Sequence, residues 1–240
     1  MRYTFNMVKN VAIVLAGGTG NRMGLDIPKQ FLILSGRSVL EHSIDAFERN
    51  PLIDEILIVA NANYINDTQQ IIDKNNWKKI KGVVPGGKER YDSSLAAISE
   101  YRGTLNVNLI FHDAVRPLVS QRIITDCVKA LEGNSAVGVA IPCVDTIMYV
   151  EEGVIKSVPD RTKLWRAQTP QGFRLDVITE AYNIALQDPA FKATDDCGVL
   201  MRYMPHVPIV VVNGDEHNLK LTYKGDIPLF ERLIEEHVND

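Results

Sequence analysis

The residues best suited to chemistry form a glycine-rich stretch near the start of the chain. This stretch follows a short apolar run and contains Gly17, Gly18, Gly20 and Arg22, and Lys29 comes shortly after it. Glycines let backbone N–H groups approach and surround phosphate oxygens, and arginine and lysine add full positive charges. We therefore expect the loop to bind a ligand that carries several phosphates.

The loop differs from two well-known phosphate-binding motifs. No Gly-Lys-Ser or Gly-Lys-Thr sequence follows it, which excludes a Walker A P-loop. Met23 stands where the dinucleotide-binding G-x-G-x-x-G motif needs its third glycine, and the acidic residue expected about 20 positions later is missing. The alternative is a tight turn that binds no ligand, and the charges of Arg22 and Lys29 make that alternative the weaker one.

Two further groups of residues follow predicted strands. Gly86 and Gly87 come after residues 79–84 and open a basic segment, and Asp113 follows residues 106–111. Because the carboxyl ends of parallel strands meet at one edge of a sheet, we expect both groups to lie beside the first loop. A carboxylate placed where phosphates gather suits Mg²⁺. An aspartate that only caps the next turn is the alternative for Asp113, and the convergence favours the metal role.

Two basic residues later in the chain are candidates for binding phosphate. Lys220 follows the last predicted strand, and Arg161 follows a predicted hairpin. A guanidinium can bind a phosphomonoester through two parallel hydrogen bonds. From spacing alone, a solvated lysine is an equally good interpretation of Lys220, and Arg161 by itself is weak evidence for a site.

Strand and helix patterns alternate along the chain. Apolar runs predict six strands, over residues 11–15, 56–60, 79–84, 106–111, 136–141 and 208–212. Helical spacing predicts a helix that contains Leu95 and Ile98, and further helices over residues 38–49, 66–76, 121–132, 175–187 and 226–237. The alternation predicts an α/β fold, a mostly parallel Rossmann-like sheet with helices on both faces.

The pattern changes between about residues 145 and 167. Residues 146–150 and 154–158 flank Glu151-Glu152-Gly153, which predicts an exposed β-hairpin. A protruding hairpin leaves strand edges uncovered, and pairing with a second subunit would cover them. We expect a single domain over residues 1–240, with the hairpin as a dimerisation arm.

The composition limits the possible functions. The chain has 240 residues, is 45% hydrophobic and carries a formal net charge of -4, which argues against a surface that coats nucleic acid. Cys127, Cys143 and Cys197 are widely spaced and include no C-x-x-C pair, which argues against disulfides and zinc. No apolar run approaches the roughly 18 residues of a membrane span. We expect a cytoplasmic protein without a nucleic-acid or membrane partner.

Six motifs occur together and in order along nearly the whole chain. They are Leu15-Ala16-Gly17-Gly18-Thr19-Gly20 with Arg22, Pro28-Lys29-Gln30, Gly86-Gly87 with Arg90 and Ser93, residues 112–117, residues 167–171, and Asn218 with Lys220 and Thr222. In these motifs the chain resembles the cytidylyltransferases that act on 2-C-methyl-D-erythritol 4-phosphate or on D-ribitol 5-phosphate. The resemblance implies that CTP and a polyol phosphate give a CDP-polyol and pyrophosphate, with Mg²⁺ as cofactor and a homodimer as the assembly.

The resemblance also implies a role for each matching residue. Arg22 and Lys29 would stabilise the charge that develops on the triphosphate, Asp113 would help to hold Mg²⁺, and Arg161 and Lys220 would position the polyol phosphate. The residues implied to bind the nucleotide are Leu15, Ala16, Gly17, Gly18, Thr19, Gly20, Gly86, Gly87, Arg90, Ser93 and Asp113. Those implied to bind the polyol phosphate are Thr146, Arg161, Thr194 and Lys220, and the hairpin would carry Thr146 and Arg161 into the site of the second subunit.

The motifs divide between the two substrates. Gly17-Gly18, residues 112–117 and Thr222-Tyr223-Lys224 are typical of the ribitol enzymes, whereas residues 165–171 are typical of the methylerythritol enzymes. The sequence therefore favours D-ribitol 5-phosphate, giving CDP-ribitol for cell-surface polymers, with the methylerythritol substrate of isoprenoid biosynthesis as the alternative. Two other classes stay open, a nucleotide-binding module without turnover and a sugar-1-phosphate nucleotidyltransferase that uses another base.

Overall fold

A computed structural model describes residues 8–18 and 27–238, and this part of the chain contains eleven strands and seven α-helices. The strands are β1 (Lys9–Ala16), β2 (Ile33–Leu34), β3 (Arg37–Ser38), β4 (Glu55–Ala60), β5 (Ile80–Pro85), β6 (Val107–Asp113), β7 (Ala136–Pro142), β8 (Tyr149–Glu151), β9 (Val154–Ser157), β10 (Trp165–Arg174) and β11 (Val210–Asn213). The helices are α1 (Val39–Glu48), α2 (Ile65–Lys74), α3 (Arg90–Glu100), α4 (Gln121–Gly133), α5 (Leu175–Ala185), α6 (Asp196–Tyr203) and α7 (Ile227–Val238). None of the described helices is long and apolar enough to cross a membrane.

Seven strands form the central sheet, in the order β11-β7-β10-β6-β1-β4-β5. β1 pairs in parallel with β4 and β6, β4 with β5, and β7 with β11. Among the described strands of this sheet, β10 alone runs antiparallel, to both β6 and β7. The predicted mostly parallel sheet is therefore confirmed.

Helices cover both faces of this sheet, because the interior strand β1 is apolar from Val11 to Ala16. In β1, Ala12 and Val14 pack into the core on the side of α1, α2 and α4, whereas Val11 and Ile13 pack on the side of α3, α5 and α6. Successive residues of a strand point to opposite faces, so an unbroken apolar strand needs cover on both. A smaller cluster joins α7 to Leu34 of β2.

The strand β10 is not predicted by the sequence pattern. Its middle, residues 168–171, is polar and contains Pro170, which cannot donate a backbone hydrogen bond to a neighbouring strand. The pairing with β7 shifts register between Ala167 and Gln171, so a local irregularity accommodates the proline. The predicted end of the arm at residue 167 therefore falls inside a sheet strand. The short strands β2 and β3 are also absent from the prediction.

The loops that carry the predicted site residues leave one edge of the sheet. β1, β4, β5 and β6 are mutually parallel, and β7 runs the same way as β6 because β10 is antiparallel to both. The exposed hairpin β8-β9 lies between β7 and β10 in the chain, and its turn places Glu152 and Gly153 at φ values of 50° and 75°. The hairpin therefore leaves the sheet at the same edge as the loops after β1, β5 and β6.

Candidate active site

A cavity of about 350 Å³ lies at this carboxyl edge. Its lining residues come from the first glycine loop, the second glycine turn, the end of β6 and the segment before α7. They are Leu15, Ala16, Gly17, Gly18, Lys29, Gln30, Gly87, Lys88, Glu89, Arg90, Ser93, Asp113, Val115 and Lys220. Residues that are far apart in the sequence thus meet at one site, as the parallel sheet requires.

Most of the predicted site residues for which the structure gives a position lie at this cavity. Those that line it are Leu15, Ala16, Gly17, Gly18, Lys29, Gly87, Arg90, Ser93, Asp113 and Lys220. Gly86 lies beside them, and its N–H group donates to Ala60 O at 2.7 Å. Thr19, Gly20 and Arg22 lie outside the described residues.

Three predicted residues do not line the cavity of their own chain. Thr146, Arg161 and Thr194 are exposed. Arg161 follows the hairpin, and its Nη1 donates to Val144 O at 2.9 Å. Thr194 directly precedes Asp195, the N-cap of α6. A single chain therefore brings the predicted nucleotide-binding residues together but leaves the predicted arm residues apart from them.

The second glycine turn needs its glycines because α3 begins directly against it. A Cβ atom added at Gly86 would lie 2.5 Å from Ser93 Oγ, and one added at Gly87 would lie 2.2 Å from Asp92 Cβ. Any larger residue would push the start of α3 away from the cavity. These contacts explain why Gly86-Gly87 and Ser93 occur together in one motif.

The carbonyl groups of the first glycine loop are held by two side-chain amides. Gln30 Nε2 donates to Ala16 O at 2.8 Å and to Gly18 O at 3.0 Å, and Asn61 Nδ2 donates to Gly17 O at 3.3 Å. The C=O and N–H groups of a trans peptide point in opposite directions. Because the side chains of Gln30 and Asn61 hold the carbonyl oxygens, the adjoining backbone N–H groups point away from these two side chains. This orientation favours anion binding on the opposite side of the loop.

Replacing Gln30 with glutamate is expected to weaken the binding of CTP, the ligand that the resemblance implies, about tenfold, because a carboxylate cannot donate to Ala16 O and Gly18 O and repels them. Calorimetric titration with CTP measures the effect. Gln187→Glu is the control, since the exposed amide of Gln187, shortly after α5, also donates to a backbone carbonyl, Asn183 O at 3.1 Å, and does not line the cavity. Equal CTP affinities for both variants would contradict the proposed support of the loop.

Lys29 is a buried cation in the cavity wall. It is 6% exposed, and its Nζ donates to Thr222 O at 3.0 Å and to Leu221 O at 3.5 Å. Lys29 lines the cavity together with Gly17 and Gly18. Lys29 therefore brings positive charge to the first loop and also connects that loop to the segment that carries Lys220.

Asp113 is 8% exposed and lies among three cations. Its Oδ2 atom is 2.7 Å from Lys220 Nζ and 4.0 Å from Arg116 Nε, and its Oδ1 atom is 3.4 Å from Arg90 Nε. Burial alone would raise the pKa of Asp113, but the charges of Arg90, Lys220 and Arg116 hold that pKa well below its usual range. The carboxylate is therefore ionised at neutral pH.

The neighbouring His112 is a buried, neutral residue. Its Nε2 atom lies 3.0 Å from Arg116 O and its Nδ1 atom lies 3.0 Å from Thr169 Oγ1. The carbonyl can only accept, so Nε2 carries the proton, and Nδ1 accepts from the hydroxyl of Thr169. Burial lowers the pKa of His112 to about 4. Because Thr169 Oγ1 also accepts from the Asp113 N–H at 3.1 Å, His112 supports the backbone of the site.

Several residues of the site are not assigned by the sequence pattern. Gln30 belongs to the Pro28-Lys29-Gln30 motif. Its position directly after Lys29 is the one sequence feature that indicates a role in the site. Arg116 stands three residues after Asp113, yet only the folded chain shows its side chain beside that carboxylate. Asp196 is buried beneath Arg90 and carries no sequence feature that distinguishes it from a helix-capping residue.

The fold and the site together define a class of protein. Glycine turns after β1 and β5 and a cluster of cations around one carboxylate at the end of β6 form a phosphate-handling site of the nucleotidyltransferase type. The chain belongs to the IspD family, described as 2-C-methyl-D-erythritol 4-phosphate cytidylyltransferase, whose profile matches residues 10–236. It is therefore a cytidylyltransferase, and the expected family is confirmed.

Relatives of the chain include both expected branches. A 2-C-methyl-D-erythritol 4-phosphate cytidylyltransferase of Thermobifida fusca is 46% identical over 231 residues, which cover 93% of this chain and 92% of that protein. A bifunctional ribulose 5-phosphate reductase/CDP-ribitol pyrophosphorylase of Haemophilus influenzae is 40% identical over 233 residues, 96% of this chain and 49% of that protein. The crystal structure of 4-diphosphocytidyl-2C-methyl-D-erythritol synthase from Anaerococcus prevotii has a TM-score of 0.82 at 27% identity, covering 95% of this chain and 99% of its own.

Proposed function

We propose that this cytidylyltransferase uses 2-C-methyl-D-erythritol 4-phosphate as its acceptor. The observation that carries this proposal is the 46% identity with the Thermobifida fusca protein, whose name states that substrate, over nearly the full length of both chains. The description of the family points the same way. The motifs favour D-ribitol 5-phosphate, whereas this identity and the family description favour 2-C-methyl-D-erythritol 4-phosphate. We therefore place the methylerythritol substrate first.

D-Ribitol 5-phosphate is the second candidate acceptor. It is favoured by Gly17-Gly18, by residues 112–117 and by Thr222-Tyr223-Lys224, and a relative at 40% identity is named for the formation of CDP-ribitol. The chain spans about half the length of that relative. Both relatives match along nearly the whole of this chain, so the methylerythritol proposal rests on the higher identity and on the description of the family.

The proposed reaction is an in-line displacement at the α-phosphorus of CTP. A phosphate oxygen of the acceptor attacks, the bond from the α-phosphorus to the bridging oxygen of the β-phosphate breaks, and pyrophosphate leaves with that electron pair. No covalent enzyme intermediate is required. The protein contributes by positioning the two substrates and by stabilising the negative charge that develops on the leaving group.

The cavity has the charge that this reaction requires. Its described lining carries four positive and two negative residues, namely Lys29, Lys88, Arg90, Lys220, Glu89 and Asp113. We assign stabilisation of the leaving pyrophosphate to Lys29, together with Arg22. Lys220 is assigned to the phosphate of the acceptor, with Arg161 from the arm. The backbone of Gly17-Gly18 and of the second glycine turn is assigned to the nucleotide.

A pyrophosphate-release assay tests the enzyme and its acceptor together. The protein is incubated with CTP, Mg²⁺ and either 2-C-methyl-D-erythritol 4-phosphate or D-ribitol 5-phosphate, and kcat/KM is compared. We expect the methylerythritol substrate to be preferred by tenfold or more, on the order of 1.4 kcal/mol. A higher kcat/KM with ribitol phosphate would establish the second candidate. No release with either acceptor, despite CTP binding, would instead indicate a module without turnover.

Mg²⁺ is the proposed cofactor, with Asp113 as the protein ligand. Among the described residues, no group of three or more histidine, cysteine, aspartate or glutamate side chains could hold a metal ion. A single ionised carboxylate does fit Mg²⁺, which is usually held by one or two carboxylates together with substrate phosphates. The bound ion would neutralise charge on the phosphates. Lys220 and Arg90 already pair with the Asp113 oxygens, so Asp113 alone attracts a second cation only weakly. The site therefore fits an ion that arrives together with the nucleotide.

Mg²⁺ is accordingly expected to bind only weakly when CTP is absent. Titration of the nucleotide-free protein with Mg²⁺ in a calorimeter should give no saturable heat in the submillimolar range, because Asp113 is already neutralised by cations. The same titration in the presence of CTP should saturate. Tight Mg²⁺ binding without nucleotide would contradict the assignment and would indicate a site made by protein ligands alone.

We also propose a homodimer in which the arm of one subunit completes the site of the other. The hairpin is covered by exposed apolar side chains, which a partner surface would bury; they include Tyr149, Val150, Val154 and Ile155. Thr146 and Arg161 are exposed on the same arm segment and lie apart from the cavity of their own chain. An arm that reaches a second subunit would place these residues where the acceptor phosphate binds.

Mixing two inactive variants tests this arrangement. We expect Lys29→Ala and Arg161→Ala to be inactive alone and to recover roughly one quarter of the wild-type activity after co-refolding, since random pairing gives heterodimers with one intact site. The control is a mixture of Lys29→Ala with Lys220→Ala, which changes two residues of one cavity and should recover nothing. Failure of the Arg161 mixture to recover, with heterodimers seen by native mass spectrometry, would contradict the shared site.

A further inference from the structure

A fully buried carboxylate is bonded to the arginine of the nucleotide site. Asp196, at the start of α6, is 0% exposed, and its Oδ2 accepts from Arg90 Nη1 at 2.7 Å. Its Oδ1 accepts from the hydroxyl of Tyr182 at 2.7 Å, and its backbone N–H donates to Gln171 Oε1 at 3.1 Å. Both carboxylate oxygens of Asp196 are therefore engaged by residues of the protein itself.

Asp196 does not line the cavity, so direct contact with a ligand does not explain it. Burying an ionised carboxylate is costly unless it is paired and hydrogen-bonded, and replacing a whole buried ion pair by well-packed apolar residues is often neutral for stability. The capping of α6 does not require it either, because Asp195 Oδ1 accepts from the Gly198 N–H at 2.9 Å and supplies that cap. Of the side-chain partners of Asp196, Arg90 lines the cavity and Tyr182 does not, so Asp196 can influence the site through Arg90.

Arg90 is shared between two carboxylates. Its Nη1 is 2.7 Å from Asp196, whereas its Nε is 3.4 Å from Asp113 Oδ1, which is a much weaker contact. The buried Nη2 has no hydrogen-bond partner among the described residues. A guanidinium that faces a single carboxylate tends to form two parallel hydrogen bonds with it. The Arg90–Asp113 contact lacks that geometry because Asp196 draws the guanidinium to its own side.

We propose that Asp196 is a positioning residue for CTP, which holds Arg90 out of a two-bond pair with Asp113. In this arrangement Arg90 remains directed toward the nucleotide, and Asp113 Oδ1 remains available to the incoming nucleotide and its cation. Without Asp196, the nearest carboxylate for Arg90 is Asp113, and closing that pair would remove both groups from CTP binding. The inference rests on the proposed use of CTP at this cavity.

The Asp196→Asn variant tests the proposal, since it keeps the shape of the side chain and removes its charge. We expect KM and the calorimetric Kd for CTP to rise about tenfold, the scale of one lost charge-assisted hydrogen bond, while kcat at saturating CTP changes by less than about threefold. Tyr182→Phe is the matched control. It removes a hydrogen bond from the same carboxylate but leaves the Arg90 contact, so Tm should fall while the Kd for CTP stays within about twofold.

A double-mutant cycle separates positioning from a purely structural role. In an Arg90→Met background, Asp196→Asn should have no further effect on the Kd for CTP, because its influence passes through Arg90. Equal losses in both backgrounds, or a wild-type Kd in a folded Asp196→Asn protein, would overturn the proposal. Failure of Asp196→Asn and of Asp196→Glu to fold would also count against it, as evidence for a folding role. An absence of CTP binding by the wild-type protein would instead overturn the proposed function.

Discussion

Replacing Lys29 with alanine is expected to lower kcat by about a hundredfold or more, with a much smaller change in KM for CTP. The charge of Lys29 lies beside Gly17-Gly18 in the wall of the cavity. If it acts on the leaving pyrophosphate, it interacts more strongly with the transition state than with bound CTP, because negative charge builds up there as the bond to the α-phosphorus breaks. Steady-state kinetics with CTP varied at saturating acceptor measures both constants.

A matched control for Lys29 exists elsewhere in the chain. Lys79 is partly buried and, like Lys29, donates from its Nζ to a backbone carbonyl, Asn50 O, but it does not line the cavity. Lys79→Ala should lose stability to a similar extent, about 1 kcal/mol for one hydrogen bond, and should keep its kcat. A Lys29→Ala protein with near wild-type turnover would refute the assigned role.

The loss of kcat in Lys29→Ala can come from the missing charge or from a displaced segment around Lys220. The Lys29→Met variant separates these two causes. Lys29 Nζ holds Leu221 O and Thr222 O, so its removal also loosens the segment that carries Lys220. Methionine keeps most of the apolar stem and the packing while it removes the charge. Because the transition-state role depends on charge, both variants should lose kcat equally. A milder defect in the methionine variant would assign part of the effect to the position of the segment.

The site could be predicted from the sequence where its chemistry follows local patterns. Apolar runs that end in Gly17-Gly18, Gly86-Gly87 and Asp113 predict strands followed by loops, and the parallel sheet then places those loops at one edge. Each of these inferences needs only a few neighbouring residues and one rule about sheets. The cavity at the carboxyl edge confirms that placement for the described residues.

The parts that could not be predicted depend on partners far away in the chain. Gln168 and Thr169 resemble loop residues, and they are buried in β10 because β6 and β7 lie on either side of that strand. Sheet order is set by packing of the whole chain, and no local pattern encodes it. Asp196 lies 106 positions after Arg90, so its interaction with that residue exists only in the folded protein.

Substrate choice shows a further limit of local patterns. A motif distinguishes one cytidylyltransferase branch from another only if it contacts the acceptor. We assign Gly17-Gly18, which lines the cavity with Lys29 and Gln30, to the nucleotide instead. The residues proposed to contact the acceptor phosphate include Arg161 on the arm, which lies apart from the cavity of its own chain. Local motifs therefore predict the cytidylyl donor better than the acceptor.

Asp113→Asn is expected to abolish turnover and to destabilise the fold. The carboxylate is the common partner of Arg90, Arg116 and Lys220, and its removal leaves these three cations close together. Breaking a buried ion pair by removing one partner costs about 3 kcal/mol, because the remaining charge is left without compensation. Denaturant unfolding measures that loss, and the pyrophosphate assay should show kcat reduced by about a hundredfold or more.

Asp45→Asn is the control for the loss of stability. The Asp45 carboxylate also pairs with an arginine, Arg37, and accepts from Trp77 Nε1 at 2.6 Å, but it does not line the cavity beneath the glycine loops. This variant should unfold more easily and keep its kcat. Comparable losses of kcat in both variants at equal stability would show that destabilisation alone explains the effect of Asp113→Asn.

Anion binding distinguishes the two roles of Asp113 more sharply than turnover does. In the wild type, the Asp113 carboxylate competes with an anionic ligand for the three cations, and Asp113→Asn removes that competition. Without Mg²⁺, pyrophosphate should therefore bind severalfold more tightly to the variant than to the wild type. Added Mg²⁺ should strengthen pyrophosphate binding in the wild type and have little effect in the variant, because the proposed metal ligand is missing. A variant that is merely misfolded at the site would lose pyrophosphate binding under both conditions. Tighter metal-free binding combined with lost turnover would therefore assign Asp113 to balancing the cations and placing the metal, rather than to holding the loops in shape.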